Sequence, residues 1–226
     1  MPARARRWIW RHRKRTAVVG ICALAAASLL ATELLANRRP ALEAASVMSE
    51  VLPAGSTPAP DFDLRDQNNR PMSIHAERGK VVLLTFLYSQ CHDLCPLEAD
   101  ELARVQSDLG PRSDLVFLVV SVAPEVDTSA TVRTFARDHH WTVEWHWALG
   151  GSRPQLMPVW NAYGVDSVPR PTADNPTNVA HSGALYLIDS AGYERVGFAL
   201  NFPPDVIARD IRALEPAQGW RWPWSR

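Results

Sequence analysis

The chain is poor in cysteine. Three occur in 226 residues, so no disulfide framework beyond a single pair can be built. One of the three, Cys22, lies in an apolar run where a small, soft side chain is unremarkable, and Ile21 before it gives no convincing lipidation context. The sequence also has no glycine-rich phosphate loop, no serine-nucleophile motif and no catalytic-looking carboxylate pair. It shows no internal repeat. These absences set aside phosphoryl-transfer, serine-hydrolase and repeat-scaffold readings. They leave Cys91 and Cys95 as the residues with the most chemistry to explain.

Net charge is also lacking, at +0 with 24 basic and 24 acidic residues, but the balance is uneven. Residues 1–39 hold nine Arg/Lys and one acid, Glu33, leaving a mildly acidic body behind a basic arm. "RARRWIWRHRKR" is followed by "TAVVGICALAAASLLAT", about 17 residues without a charge. As a helix this run is roughly 25 Å long, a little short of the ~30 Å hydrocarbon core, and Leu34–Ala36 extend it past Glu33. Basic residues ahead of the run keep the N-terminus cytoplasmic and send the rest across. The run fits a retained signal anchor, and the small residues of "ALAAAS" also fit a cleavable signal peptide. It explains the arginines better than nucleic-acid binding does, and the preceding ~15 residues are short for a mitochondrial transit peptide.

The expected organisation is a basic cytoplasmic segment (1–15), a transmembrane helix (16–36), a Pro/Ala/Ser linker (37–57), one folded domain (58–215) and a Trp-rich tail (216–226). Within the domain, "VVLLTFLYS" and "DLVFLVVSV" are near-continuous apolar runs suited to strands covered on both faces. "PLEADELARVQSDLG" reads as a helix, with Leu97, Leu102, Val105 and Leu109 at helical spacings, Pro96 in its first turn and Gly110 just past its end. "DTSATVRTFARDHH" is a helix capped by Asp127 or Thr128. "TVEWHWAL" is a strand. "SRPQLMPVWNAYGV" is a helix that Pro158 kinks or delays. "VPRPTADNPTNVA" reads as loop. "HSGALYLID" and "YERVGFAL" form a hairpin through "SAG", and "PPDVIARDIRAL" is a last helix. Strands alternating with helices give an α/β layered fold.

Cys91 and Cys95 fall where the first strong strand ends and a helix begins. Ligands favour the carboxyl ends of strands in such sheets, and a helix N-terminus stabilises thiolate over thiol. Residues four apart on a helical turn face the same way. Two converging thiolates suit a soft ion, Cu(I) before Zn(II). By themselves the residues equally allow a redox pair, a plain disulfide or buried structural thiols.

The wider pattern narrows this choice. "APDFDLRDQNNRPMSI" followed by "GKVVLLTFLYSQCHDLCP", and later "SVAPEVDT" and "VAHSGALYLIDSAGYER", resembles the SCO/SenC family of thioredoxin-like copper proteins over roughly residues 58–214. The resemblance implies a thioredoxin-like fold with a central mixed sheet flanked by helices. It implies copper as the bound metal, with Cys91, Cys95 and His181 as ligands. It also implies a domain anchored to the cell inner membrane and facing the periplasm, with a cytochrome c oxidase subunit or assembly intermediate as partner. The alternative is a thiol–disulfide oxidoreductase that works with a thiol reductant, Cys91 attacking and Cys95 resolving, or a redox sensor of the thioredoxin-like class, without a copper delivery role.

The match departs from the family in two places. Ala123 stands where the family usually has Asp, although Asp127 remains; if that acid serves docking or tunes the site, delivery differs here. His92 stands where proline is usual, as an alternative ligand or proton donor or as a solvent-exposed side chain, and the loop loses stiffness. Elsewhere, His139 and His140 close a helix and His146 alternates with Trp145 and Trp147 in a strand, a poor spacing for a second metal site. Trp220, Trp222 and Trp224 suit either a membrane interface or a frayed tail.

Overall fold

A computed structural model describes residues 49–198 and 203–214. The expected membrane helix, Cys22 and the three tail tryptophans lie outside the described residues. Among the described residues no helix is long and apolar enough to cross a membrane. In chain order the strands are β1 (Ser49–Val51), β2 (Leu64–Arg65), β3 (Pro71–Met72), β4 (Val81–Leu87), β5 (Leu115–Ser121), β6 (Glu144–Ala148), β7 (Ser167–Pro169), β8 (Val179–His181), β9 (Leu185–Ile188) and β10 (Glu194–Phe198). The helices are α1 (Leu94–Leu109), α2 (Ser129–Asp138), α3 (Arg153–Ala162) and α4 (Pro204–Leu214).

The main sheet is mixed, in the order β1-β10-β9-β4-β5-β6. β4, β5 and β6 run parallel, whereas β9 is antiparallel to β4, and β10 is antiparallel to β9. Every residue of β4 and β5 is buried. The unbroken runs of Val, Leu and Phe follow from this, because a central parallel strand has no wet face on which to place polar residues. Each such side chain contributes roughly 1.5–3 kcal/mol by leaving water. Thr85 in β4 is buried too, and its hydroxyl donates to the Ala184 carbonyl (3.0 Å).

α1 follows β4 and ends at Gly110, whose φ of +72° is a conformation that favours glycine; its N–H reaches the Gln106 carbonyl at 3.0 Å. Leu102 and Val105 are fully buried, but Leu97, expected on the same face, is 58% exposed. Cys95, Ala99, Leu102 and Gln106 define the inward stripe; Leu97 lies about 140° around the helix from Leu102, outside a ~100° stripe. α1 packs against α4. α2 is capped by Thr128 in a reciprocal pair with Thr131, so Asp127 is not the cap. α3 carries proline in its first turn and runs through Pro158 without a delayed start.

Two segments differ from the sequence expectation. Ser49–Val51, within the stretch read as linker, pairs with β10 and adds an edge strand. "VPRPTADNPTNVA" is not plain loop, because its two ends pair as β7 and β8. Each segment is three residues long, too short to show a period of two. His181 therefore closes β8 and is not the first residue of the β9 hairpin.

Candidate metal centre

The loop from Tyr88 to Asp93 connects the carboxyl end of β4 to α1. Pairing of β7 with β8 places His181 opposite Ser167, and this ribbon brings the imidazole to the same end of the sheet. Cys91 is 7% exposed, Cys95 is 0% exposed, and His181 is half-buried. One donor atom from each of the three lies within 4.8 Å of the others. The Cys95 sulfur is 3.4 Å from His181 Nε2. The structure thus gathers the three residues named from sequence, although 86 positions separate Cys95 from His181.

Local geometry tunes each donor. α1 has no side-chain cap. In its place the Cys91 sulfur accepts the Cys95 N–H (3.4 Å) at the helix N-terminus. The Cys91 thiol is pulled down to about 3 by a hydrogen bond from Cys95, against burial, with help from His181 and the N–H groups of Asp93 and Cys95. Cys95 goes the other way: burial and the hydrogen bond it gives to Cys91 hold its proton well above the ordinary thiol range. The pair is one exposed-side thiolate and one buried thiol. His181 Nδ1–H donates to the Ser182 carbonyl (3.1 Å), which leaves Nε2 facing the sulfurs. Burial opposes a charge on His181, but the Cys91 thiolate, the Ser182 carbonyl and Glu98 outweigh it and raise its pKa.

Tyr88 packs edge-on against His181 with centroids 5.9 Å apart. Its hydroxyl donates to Asn178 Oδ1 (3.2 Å) and accepts the Val179 N–H (3.4 Å), which ties β8 to the cysteine loop. Glu98, one turn past Cys95, is buried, and both its carboxylate oxygens are without a hydrogen-bond partner. Burial pushes its pKa up to about 7. Sequence reasoning missed Glu98 and Tyr88, since nothing in their local pattern reveals His181 as a neighbour 83 and 93 positions away.

The other candidates fall elsewhere. His92 is exposed and outside the cluster. His139 Nδ1 pairs with Asp100 (2.7 Å) at the end of α2, and His146 Nδ1 pairs with buried Asp66 (3.0 Å) in β6. His139, His140 and His146 do not converge among the described metal-ligating groups. Ala123 is buried at the turn after β5. A polar groove of about 1060 Å³ along Asp63–Arg70 and Gly150–Gly151 contains none of the three donors.

A buried thiolate, a buried thiol and an oriented imidazole at the carboxyl end of a mixed sheet define a thioredoxin-like protein with a soft-metal or redox centre. The SCO1/SenC family model matches residues 53–215, and the chain belongs to that family. It is 33% identical over 165 residues to the mitochondrial protein SCO2 of Saccharomyces cerevisiae, covering 70% of this chain and 54% of that protein. Across the first three curated relatives, the matched chain spans 50–65% of their lengths. Among solved structures, copper-bound ScoI of Bradyrhizobium japonicum is 27% identical with a TM-score of 0.61, covering 70% of this chain and 100% of that one. Copper-bound ScoI of Arabidopsis thaliana has a TM-score of 0.61 at 23% identity, covering 69% of this chain and 97% of that one, a likeness of fold.

Proposed function

We propose that this chain carries copper for cytochrome c oxidase assembly, holding the ion as cargo on Cys91, Cys95 and His181. The observation that carries the reading is the convergence of two sulfurs and Nε2 within 4.8 Å. Two thiolates and a neutral imidazole carry a charge of −2 and form a three-coordinate complex of total charge −1 with Cu(I), which leaves room for an incoming ligand. Cys95 is fully buried and Cys91 slightly exposed, so a recipient thiolate approaches from the Cys91 side and Cys95 releases last. The family membership and the copper held by solved relatives support this reading. The basic arm and apolar run of residues 1–36 would anchor the domain at the inner membrane, facing the periplasm. The partner is an oxidase subunit or assembly intermediate.

The test is an anaerobic Cu(I) competition titration of the reduced protein beside Cys91→Ser, Cys95→Ser and His181→Ala. One tight equivalent is expected, lost in either serine variant and weakened without His181. Absence of tight binding by the reduced wild type overturns the reading.

A second reading, thiol–disulfide exchange with a thiol reductant, is favoured by the asymmetry of the pair. A low-pKa sulfur nearer the surface and a buried, protonated one suit attack by Cys91 and resolution by Cys95. His181→Ala separates the two: it weakens copper binding but leaves exchange rates within a few-fold.

A further inference from the structure

Asp127 was a cap candidate in the sequence, but Thr128 fills that role. The carboxylate is nonetheless buried, at 6% exposure. Oδ1 accepts both the main-chain N–H (2.8 Å) and the hydroxyl (2.6 Å) of Ser89, and Oδ2 accepts the Ser121 hydroxyl (2.6 Å). No cationic side chain pairs with it among the described residues. Its own N–H returns to the Ala123 carbonyl (3.2 Å).

The two serines stand at informative places. Ser121 ends β5, and Ser89 lies two residues ahead of Cys91 in a loop with few other polar restraints. Those are Cys91 N–H to the Tyr88 carbonyl (3.3 Å), a long contact from Gln90 to the Val126 carbonyl (3.4 Å), the Tyr88 hydroxyl bonds to Asn178 and Val179, and the Cys95 N–H on the Cys91 sulfur. A buried carboxylate without a cation is costly unless donors surround it, and here two of its three donors come from the cysteine loop.

We infer that Asp127 is a positioning residue that clamps the Cys91 loop to the end of β5 and so fixes where the Cys91 sulfur sits relative to Cys95 and His181. This rests on the reading of those three residues as one centre. Asp127 touches none of them and acts through Ser89. Loosening the clamp changes how well the two sulfurs meet, either around a metal or as a disulfide, beyond any change in overall stability.

The test measures the dithiol–disulfide equilibrium of the full-length protein against glutathione, in which two glutathione thiols are oxidised for each Cys91–Cys95 disulfide reduced. Cu(I) affinity and melting temperature are measured alongside. Asp127→Asn is expected to shift the equilibrium constant about tenfold, about 30 mV. Ser89→Ala, which keeps the main-chain donor, shifts it less, and the double variant falls short of the sum because both act through one contact. Gln106→Ala is the control: Gln106 is also buried, bonded to Thr142 N–H (2.9 Å) and the His140 carbonyl, but far along α1 from the cysteines. It should lower the melting temperature and leave the equilibrium unchanged. Asp127→Asn and Ser89→Ala within twofold of wild type, or Gln106→Ala shifting the equilibrium as much as they do, overturns the inference. If Asp127→Asn does not fold, Ser89→Ala decides alone. A wild type that binds no Cu(I) overturns the proposed function, while the glutathione equilibrium still reads the clamp.

Discussion

Two clusters of potential metal donors stand at opposite ends of the parallel strands. At the carboxyl end are Cys91, Cys95 and His181; near the start of β4 and β6 are Glu77, Glu144 and His146. The second already contains its cation. Lys80 Nζ lies 2.9 Å from Glu77 Oε2 and 2.6 Å from Glu144 Oε2, and His146 is bonded to Asp66 and Glu144. The carboxylates raise the Lys80 pKa over the opposing effect of burial, so the ammonium stays charged. At the cysteine end no lysine or arginine is paired with the donors among the described residues. The donor atoms there are aimed at one another, and Glu98 behind them adds latent negative charge. Proximity of donors alone does not separate a metal centre from a structural ion network. What separates these two is whether the fold has supplied its own counter-charge.

The contrast can be broken or sharpened by experiment. The largest effect should come from Cys91→Ser or Cys95→Ser, which removes half the soft donor pair and lowers Cu(I) affinity by at least about a thousandfold; His146→Gln should leave it unchanged in the same titration. Acid comes next. Cys91 is already ionised, but Cys95 keeps its proton and must release it to the ion, so affinity falls about tenfold per pH unit as pH drops. His181, with its raised pKa, adds a second proton below that value. From pH 8 to 6 the loss is about a hundredfold or more, read by competition titration.

Glu98→Gln tests the buried carboxyl. Its folded pKa of about 7 lies above the usual 4.5, so the native state loses stability between those values and carries the full penalty above 7. The variant should exceed wild type by about 3 kcal/mol at pH 8 and match it near pH 4, by denaturant unfolding of the metal-free protein. Lys80→Met should have the smallest effect, costing about 1–2 kcal/mol between the exposed and buried limits for ion pairs. It also removes the built-in cation, so added Zn(II) should stabilise this variant and not the wild type.

How much of this was legible in the sequence depends on chain distance. β4 and β5 announce themselves because full burial leaves an unbroken apolar run, and α1 carries its own punctuation in Pro96 and Gly110. Cys91 and Cys95 are marked as a site by their place at a strand end. His181 is not, since its partner is 86 positions away and a histidine beside a strand is ordinarily structural; only the family resemblance singled it out. β1 and the β7–β8 ribbon were missed because their pairing partners, not their own residues, make them strands. Leu97 was placed inward by spacing alone, and the turn of the helix carries it into solvent. Asp127 read as a cap because capping is a local rule, whereas its actual partners lie 38 and 6 positions away.

The last residues of β5 carry a consequence for how variation reaches the site. The β7–β8 ribbon bearing His181 is fastened there: the Ser167 hydroxyl donates to the Val122 carbonyl (2.6 Å), and Arg153 holds both Ser167 and Val122. The loop bearing Cys91 is fastened through Asp127 to the residue before, Ser121. The halves of the centre are therefore surveyed from a single benchmark, Ser121 to Ala123, that coordinates nothing. A change in those three residues is expected to move the sulfurs and the imidazole relative to each other while all three donors are kept. Substitution at Ala123, buried between the two fastenings, is therefore expected to retune the spacing of the three donors without touching any of them.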